Sequence, residues 1–410
     1  MLARRGLEML KNLPEKIERA RQELALQMAL CMALQITQGY GAATVEQTTK
    51  RAIELCLQLG ENLNLFWVLA GLFLVYSFRT ELKTAREIGE QMLSIAQNSK
   101  DPDLLAHAHS VTAASLFHLG EFTAARDHYE QGLALYDPQR RYIHTFPMRY
   151  DAESTLRYLG AWTLWFLGYP DQSLEKIREA IQLAEELRLP ENLGAGLFYA
   201  TLLRQLRHEA QRTLEQAEEL IAQADEYGLV DWGANGASLR GWALVEMGHR
   251  AEGIAQIRQS LVAHGEAGSK LAGLHFRALL AEALLKDKQF EEGLALVDET
   301  LADALGVGGY YLLAEIYRLK GELLLKCGSG LWDCGLKEAE ECFHQSIQIA
   351  QRQSAKSLEL RAVLGLSRLW QRQNKTKEAR QTLLEIYNWF TEGFDTEDLK
   401  EARALLEELS

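Results

Sequence analysis

Small residues stand in two columns along this chain, twelve positions apart, and the pair returns about every forty residues. The second column runs Val45, Ala85, Ala125, Ser173, Thr213, Gly253, Gly293, Ala339 and Ala379, at spacings of 40, 40, 48, 40, 40, 40, 46 and 40. The first runs Ala33, Phe73, Ala113, Ala161, Thr201, Gly241, Ala281, Gly321 and Ser367, with six extra residues assigned between the columns in the unit of Gly321. In each column eight of nine residues are Ala, Gly, Ser or Thr. Two antiparallel helices joined by a short turn approach closely only where small side chains face each other, so one such contact per copy is the signature of stacked helical hairpins. Four residues beyond the second column come Tyr129, Ile177, Ala217, Ile257, Val297, Phe343 and Leu383, which shares its helix face and supplies the packing stripe.

The backbone chemistry agrees. Six prolines in 410 residues leave long stretches free of helix breakers, and no alternating apolar and polar run competes for strand. Gly120, Gly168 and Gly248 fall in one column, where a helix must end and the backbone must turn left-handed. Asp101-Pro102 and Leu189-Pro190 open new hairpins, with proline in a first helical turn. The expected fold is therefore all-α, a single solenoid over residues 1–410. It has a leading helix at 1–20, about nine helix-turn-helix repeats over 21–390 and a capping helix at 395–410. That cap carries Leu399, Ala402, Leu405, Leu406 and Leu409 on one stripe, behind an Asp/Thr helix start.

Other classes are disfavoured. The seventeen uncharged residues 62–78, NLNLFWVLAGLFLVYSF, sit at the short limit for a membrane span, and their register puts them on the first helix of a hairpin, buried between neighbours. The N-terminus lacks the apolar core of a signal peptide. A net charge of −13 without basic runs argues against a nucleic-acid surface. Five cysteines without ligand spacing read as reduced thiols and a cytoplasmic setting. No phosphate loop is present: GEAGSK at 265–270 and GVGG at 306–309 read as hairpin turns. HEAQR at 208–212 lacks the second histidine of a zincin, and His107 and His118 lie about 16 Å apart along a helix. No catalytic, cofactor-binding or metal-binding set is found, so a non-enzyme is expected.

The column pattern, with small residues at the eighth and twentieth positions, an aromatic or aliphatic at the twenty-fourth and a closing Asp-Pro, resembles the tetratricopeptide repeat, lengthened from about 34 residues. It lacks that repeat's early tryptophan. The phrases RARQELALQMAL, GLALYDPQ, LGYPDQSLEKIREAI, RGWALVEMG, YRLKGELLL and the run from LWQRQNKTKEAR to the C-terminus resemble the C-terminal helical region of large bacterial signalling proteins. In that family the region follows an AAA/STAND-type ATPase module, often behind a class III adenylate/guanylate cyclase or a protein kinase domain. The resemblance implies a right-handed superhelix serving as a sensor or protein-interaction domain. Its concave groove would hold a protein, a peptide or a small molecule and regulate an attached or separate ATPase, cyclase or kinase module.

By the same resemblance, residues next to the small eighth position face the inner surface. These are Trp162, Trp165, Trp242, Glu282, Glu322 and Arg368, with Arg318, Arg361, Trp67, His107 and His275 beside them. Aromatic and charged residues together suit recognition. The long spacing after Ala125 places Arg140, Arg141 and Tyr142 in an insertion where cations and aromatic faces suit an anionic ligand, or pin a solvated connector. The insertion CGSGLWDCG at 327–335 reads as a longer hairpin tip. Two alternatives stand beside the sensor: a scaffold or oligomerisation module, and an enzyme with its site hidden in the groove.

Overall fold

The structure is a computed structural model, and it describes residues 2–10, 14, 17–137, 151–266, 270–327 and 334–410. The described residues form twenty α-helices and no strand. Helix α1 (Leu2–Leu10) precedes nine hairpins. They are α2 (Ile17–Gln38) with α3 (Ala43–Leu59), α4 (Asn62–Phe78) with α5 (Leu82–Ser99), and α6 (Pro102–His118) with α7 (Phe122–Leu135). Next come α8 (Ala152–Phe166) with α9 (Pro170–Leu187), α10 (Pro190–Leu206) with α11 (Ala210–Tyr227), and α12 (Val230–Glu246) with α13 (Arg250–Glu266). The last three are α14 (Lys270–Lys286) with α15 (Phe290–Gly306), α16 (Leu313–Cys327) with α17 (Cys334–Arg352), and α18 (Lys356–Arg372) with α19 (Thr376–Tyr387). Helix α20 (Glu397–Glu408) ends the array. This is the all-α solenoid of tetratricopeptide-like hairpins that the columns imply.

Each hairpin carries one residue of each small column, and the columns meet. A Cβ on Gly241 would lie 2.7 Å from the Gly253 carbonyl oxygen, and one on Gly253 would lie 2.3 Å from that of Gly241. The Ser173 hydroxyl donates to the Ala161 carbonyl at 2.5 Å, and Ser367 to that of Ala379 at 3.3 Å. A Cβ on Gly321 would approach the Ala339 carbonyl at 3.2 Å, so the extra residues of that unit do fall between the columns. Ala33 departs from the pattern and is exposed. The left-handed turn residue stands five positions before the second column at Thr80, Gly120, Gly168, His208, Gly248, Lys288 and Asn374, but six before it at Gly39. That one-residue longer turn rotates α2 out of register.

Helix α4 is buried from Phe66 to Phe73, packed among its neighbours, and no helix among the described residues is long and apolar enough to cross a membrane. At the far end Leu399, Ala402, Leu405 and Leu409 pack with Leu383, Ile386 and Phe390. Thr396 is the first boundary residue of α20, yet its hydroxyl donates to the Gly393 carbonyl at 2.7 Å instead of capping the helix.

First helices line the inside of the spiral, and those five hairpins apart touch: α4 meets α14, and α8 meets α18. The Tyr311 amide donates to the His118 carbonyl at 3.1 Å, and the Ser357 hydroxyl to the Trp165 carbonyl at 2.5 Å. The interior is therefore enclosed by side chains, and its two ends differ.

Candidate ligand-binding cavity

Towards the N-terminal end the interior stays open as a cavity of about 410 Å³ bounded by the first helices α2 to α14. Its position follows from the sequence. The first helices α4, α6 and α10 are buried on nearly every side, each between its own second helix, the neighbouring hairpins and the axis. Aromatic rings from several helices converge on the axis, some stacked and some edge to face. Trp162 is the centre of this convergence. Its ring centroid lies 4.8 Å from Phe117, 5.1 Å from Tyr199, 5.4 Å from Tyr311 and 6.3 Å from His275. Phe198 and Trp232 continue the wall at 5.4 Å from each other.

Several polar atoms on this wall are buried without a protein partner among the described residues. They are both amide atoms of Gln35, Ser77 Oγ, His118 Nδ1, Trp162 Nε1, Asn235 Oδ1, His264 Nε2 and His275 Nε2. An orphaned buried donor or acceptor costs roughly 1–3 kcal/mol, and these atoms are concentrated on one wall. Trp162 Nε1 can only donate, and it calls for an oxygen. His275 Nδ1 pairs with the Tyr311 hydroxyl at 2.8 Å, leaving Nε2 for a ligand. Burial pushes His275 down to about 3, against a small opposing pull from Glu315, and pushes His118 and His264 down to about 4. All three rings are neutral at pH 7.

The C-terminal end of the interior is filled instead by an ionic network. Trp242 Nε1 donates to Glu282 Oε2 at 3.1 Å, while the Lys286 ammonium pairs with Glu282 at 3.2 Å and with Glu246. Burial alone would raise the Glu282 carboxyl, but Lys286, His208, Arg318 and Arg361 outweigh it and hold it well below the usual range. Arg318 bonds Glu315 at 2.6 Å and also Glu322. Arg361 bonds Asp398 at 2.9 Å and lies 5.0 Å over the Trp165 ring.

The site residues expected from sequence thus separate. Trp162 alone lines the cavity, joined there by His275. Trp165, Trp242, Glu282, Arg318, Glu322 and Arg361 belong to the network and partner one another or their neighbours. Arg368 is exposed and pairs with Glu401 of α20. Arg140, Arg141 and Tyr142 lie outside the described residues, as do residues 328–333 of the second insertion. Sequence reasoning missed Gln35, Tyr199, Trp232, Asn235 and Tyr311. Their only signal is position on a first helix, or just before one, and that position is shared by residues that merely pack.

His208, Glu246 and Glu282 bring donor atoms within 4.8 Å of one another. The Lys286 ammonium already pairs with both carboxylates, so the cluster is read as an ion-pair site.

No protein-family model matches the chain, and no curated protein matches it in sequence. Solved structures do match in fold. A Rap protein complexed with competence and sporulation factor superposes with a TM-score of 0.60 at 12% identity, over 95% of this chain and 100% of that one. The apo quorum sensor NprR from B. thuringiensis gives 0.51 at 13%, over 90% and 98%. A signal transduction ATPase with numerous domains (STAND), carrying a tetratricopeptide repeat sensor, from Pyrococcus horikoshii gives 0.50 at 12%, over 98% of this chain and 56% of that one.

Proposed function

We propose that the chain is a non-enzymatic sensor solenoid that encloses a small organic or peptide ligand in its central cavity and passes the occupancy on through its shape. The observation that carries this is the aromatic cavity whose wall holds Gln35, Trp162, Asn235, His264 and His275 atoms that have no hydrogen-bond partner among the described residues. A largely apolar cavity of this volume with a few convergent polar groups is what ligand sites look like. The fold likeness to a tetratricopeptide repeat sensor and to a Rap protein complexed with a competence and sporulation factor supports the reading, as does the resemblance of its phrases to helical regions behind ATPase, cyclase or kinase modules. The partner is then such a module, attached or separate, in the cytoplasm. Because first helices from opposite sides of the spiral touch, a ligand that bridges α4, α8, α10 and α14 would favour the conformation in which these helices stand as they do here over any in which they part, which is the requirement for coupling.

A thermal-shift screen of metabolites and short peptides against the full chain tests this. Hits should lose their stabilising shift in Trp162→Phe, which removes the orphan donor and keeps the ring, and in Ala114→Phe, which fills the cavity. Hits indifferent to both substitutions, or a screen with turnover and no cavity dependence, would overturn it.

A further inference from the structure

Away from the cavity, the α6–α7 hairpin brings two imidazoles together. His109 Nδ1 and His128 Nδ1 lie 3.0 Å apart, with ring centroids at 5.1 Å and planes at 45°. That contact is the only hydrogen bond either ring makes among the described residues. His109 is buried and His128 half-buried, so solvent reaches the pair through His128. The backbone holds the two rings in register. Gly132 stands one helical turn past His128, and a Cβ there would lie 3.1 Å from that of His109, so its missing side chain is what lets His109 lie across α7. Ala113, one turn past His109, packs with Tyr129 and with Leu156 of α8.

We propose that His109 and His128 form a two-imidazole site for a divalent transition-metal ion of the copper, nickel and zinc class. Two nitrogens bound to one ion at about 2.05 Å stand about 2.9 Å apart at a right angle and about 3.3 Å apart at the tetrahedral angle. The observed 3.0 Å falls between these limits, so turning both lone pairs towards a shared point asks for little change in separation. Two neutral imidazoles in Nδ1 contact share one proton. The ion takes its place, the proton leaves to solvent, and water fills the remaining positions. Imidazole nitrogen suits copper, nickel and zinc, with copper(II) the tightest, whereas magnesium and calcium want oxygen ligands. Bound there, the ion cross-links α6 to α7. The ligands stand 19 positions apart on two helices, which is why the sequence shows no ligand spacing.

Titration calorimetry of the full chain, first stripped with EDTA, tests the site with copper(II), zinc(II) and magnesium(II) as probes. Copper should bind more tightly than zinc, and magnesium should give no heat. Electron spin echo envelope modulation of the copper complex should count two imidazoles on the ion. His128→Gln should weaken copper at least about ten-fold and lower that count to one, because a single imidazole is left. His249→Gln, at an exposed position between α12 and α13, and His208→Gln, in the interior ion-pair cluster, should change neither reading. A metal-free melt of His128→Gln checks its fold, and the imidazole count on the wild type needs no variant at all. Copper affinity unchanged in His128→Gln, a single imidazole on the wild type, magnesium binding as tightly as copper, or silence from copper overturns the proposal.

Discussion

The Trp242 indole donates to a Glu282 oxygen 40 residues further along the chain, and so ties α12 to α14 through a carboxylate that already serves Lys286. Removing the charge while keeping the shape separates the two tasks. Glu282→Gln keeps an acceptor for Trp242 but leaves Lys286 with Glu246 alone, so it should cost roughly 2–4 kcal/mol in urea denaturation. Glu407→Gln breaks the exposed pair with Arg403, and should cost less than about 0.5 kcal/mol. Equal costs for the two would mean that the network is as weak as a surface pair.

Gly253 and Gly241 set the closest approach between two helices of one hairpin. A methyl at 253 would press on the Gly241 carbonyl and the Val245 side chain, 2.3 and 2.7 Å away. Neither the carbonyl nor the packed helix can withdraw, so Gly253→Ala should destabilise the chain by about 2–4 kcal/mol. Gly265 sits on the same helix with nothing near its missing Cβ. There alanine gains helix propensity, and Gly265→Ala should be neutral or stabilising by up to about 1 kcal/mol. Thermal melts of the two variants check the contrast, and a tolerated Gly253→Ala would refute the close approach.

The solenoid and its hairpin register were legible because one backbone constraint repeats. Small residues at Ala161 and Ser173, or Gly241 and Gly253, are demanded by contact within a hairpin, and a period of about forty residues repeats that demand along the chain, the first hairpin excepted. The cavity was less legible, since it depends on how tightly the spiral winds. Trp162 and Trp242 occupy equivalent positions on first helices, each one residue past the first column, yet Trp162 faces the cavity and Trp242 meets a carboxylate from the next hairpin. That pairing has no local code. For the same reason Tyr311, which precedes α16, reaches His118 and His275 without any signal in its own repeat.

The segment leading into α20 clasps the middle of the spiral. The Glu392 carboxylate accepts the Asp171 and Gln172 amides at 2.9 and 3.1 Å, at the N-terminus of α9, and the Gly393 amide donates to Asp171 at 2.9 Å. Asp395 meets the buried Arg207 guanidinium at 3.2 Å, and Asp398 meets Arg361. Asp398→Asn and Asp395→Asn together should loosen this clasp. Their effect should appear in hydrogen exchange as faster opening of residues 389–400 and of the first turn of α9, with α12 and α13 unchanged. Uniform acceleration over the whole chain would instead assign the contacts to global stability.

Acid should weaken the fold in a window set by the buried histidines. His118 and His264 are held at about 4 and His275 at about 3 in the folded chain, against an ordinary value of 6.5. Above pH 6.5 both states are neutral at these rings, and their stability contribution is complete. Between roughly pH 6.5 and 4 the unfolded chain takes up three protons that the folded chain refuses, so stability falls with falling pH by up to about 4 kcal/mol per unit. The loss ends near the folded values, where the native rings protonate as well. His264 stacks on Phe276 with centroids 5.1 Å apart and planes at 15°, so His264→Phe keeps the stack and removes one of the three protons. Urea midpoints measured from pH 7.5 to 4.5 should fall less steeply in that variant than in the wild type, by the share of one proton. An unchanged slope would place the titration elsewhere and leave His264 without the role that its burial assigns.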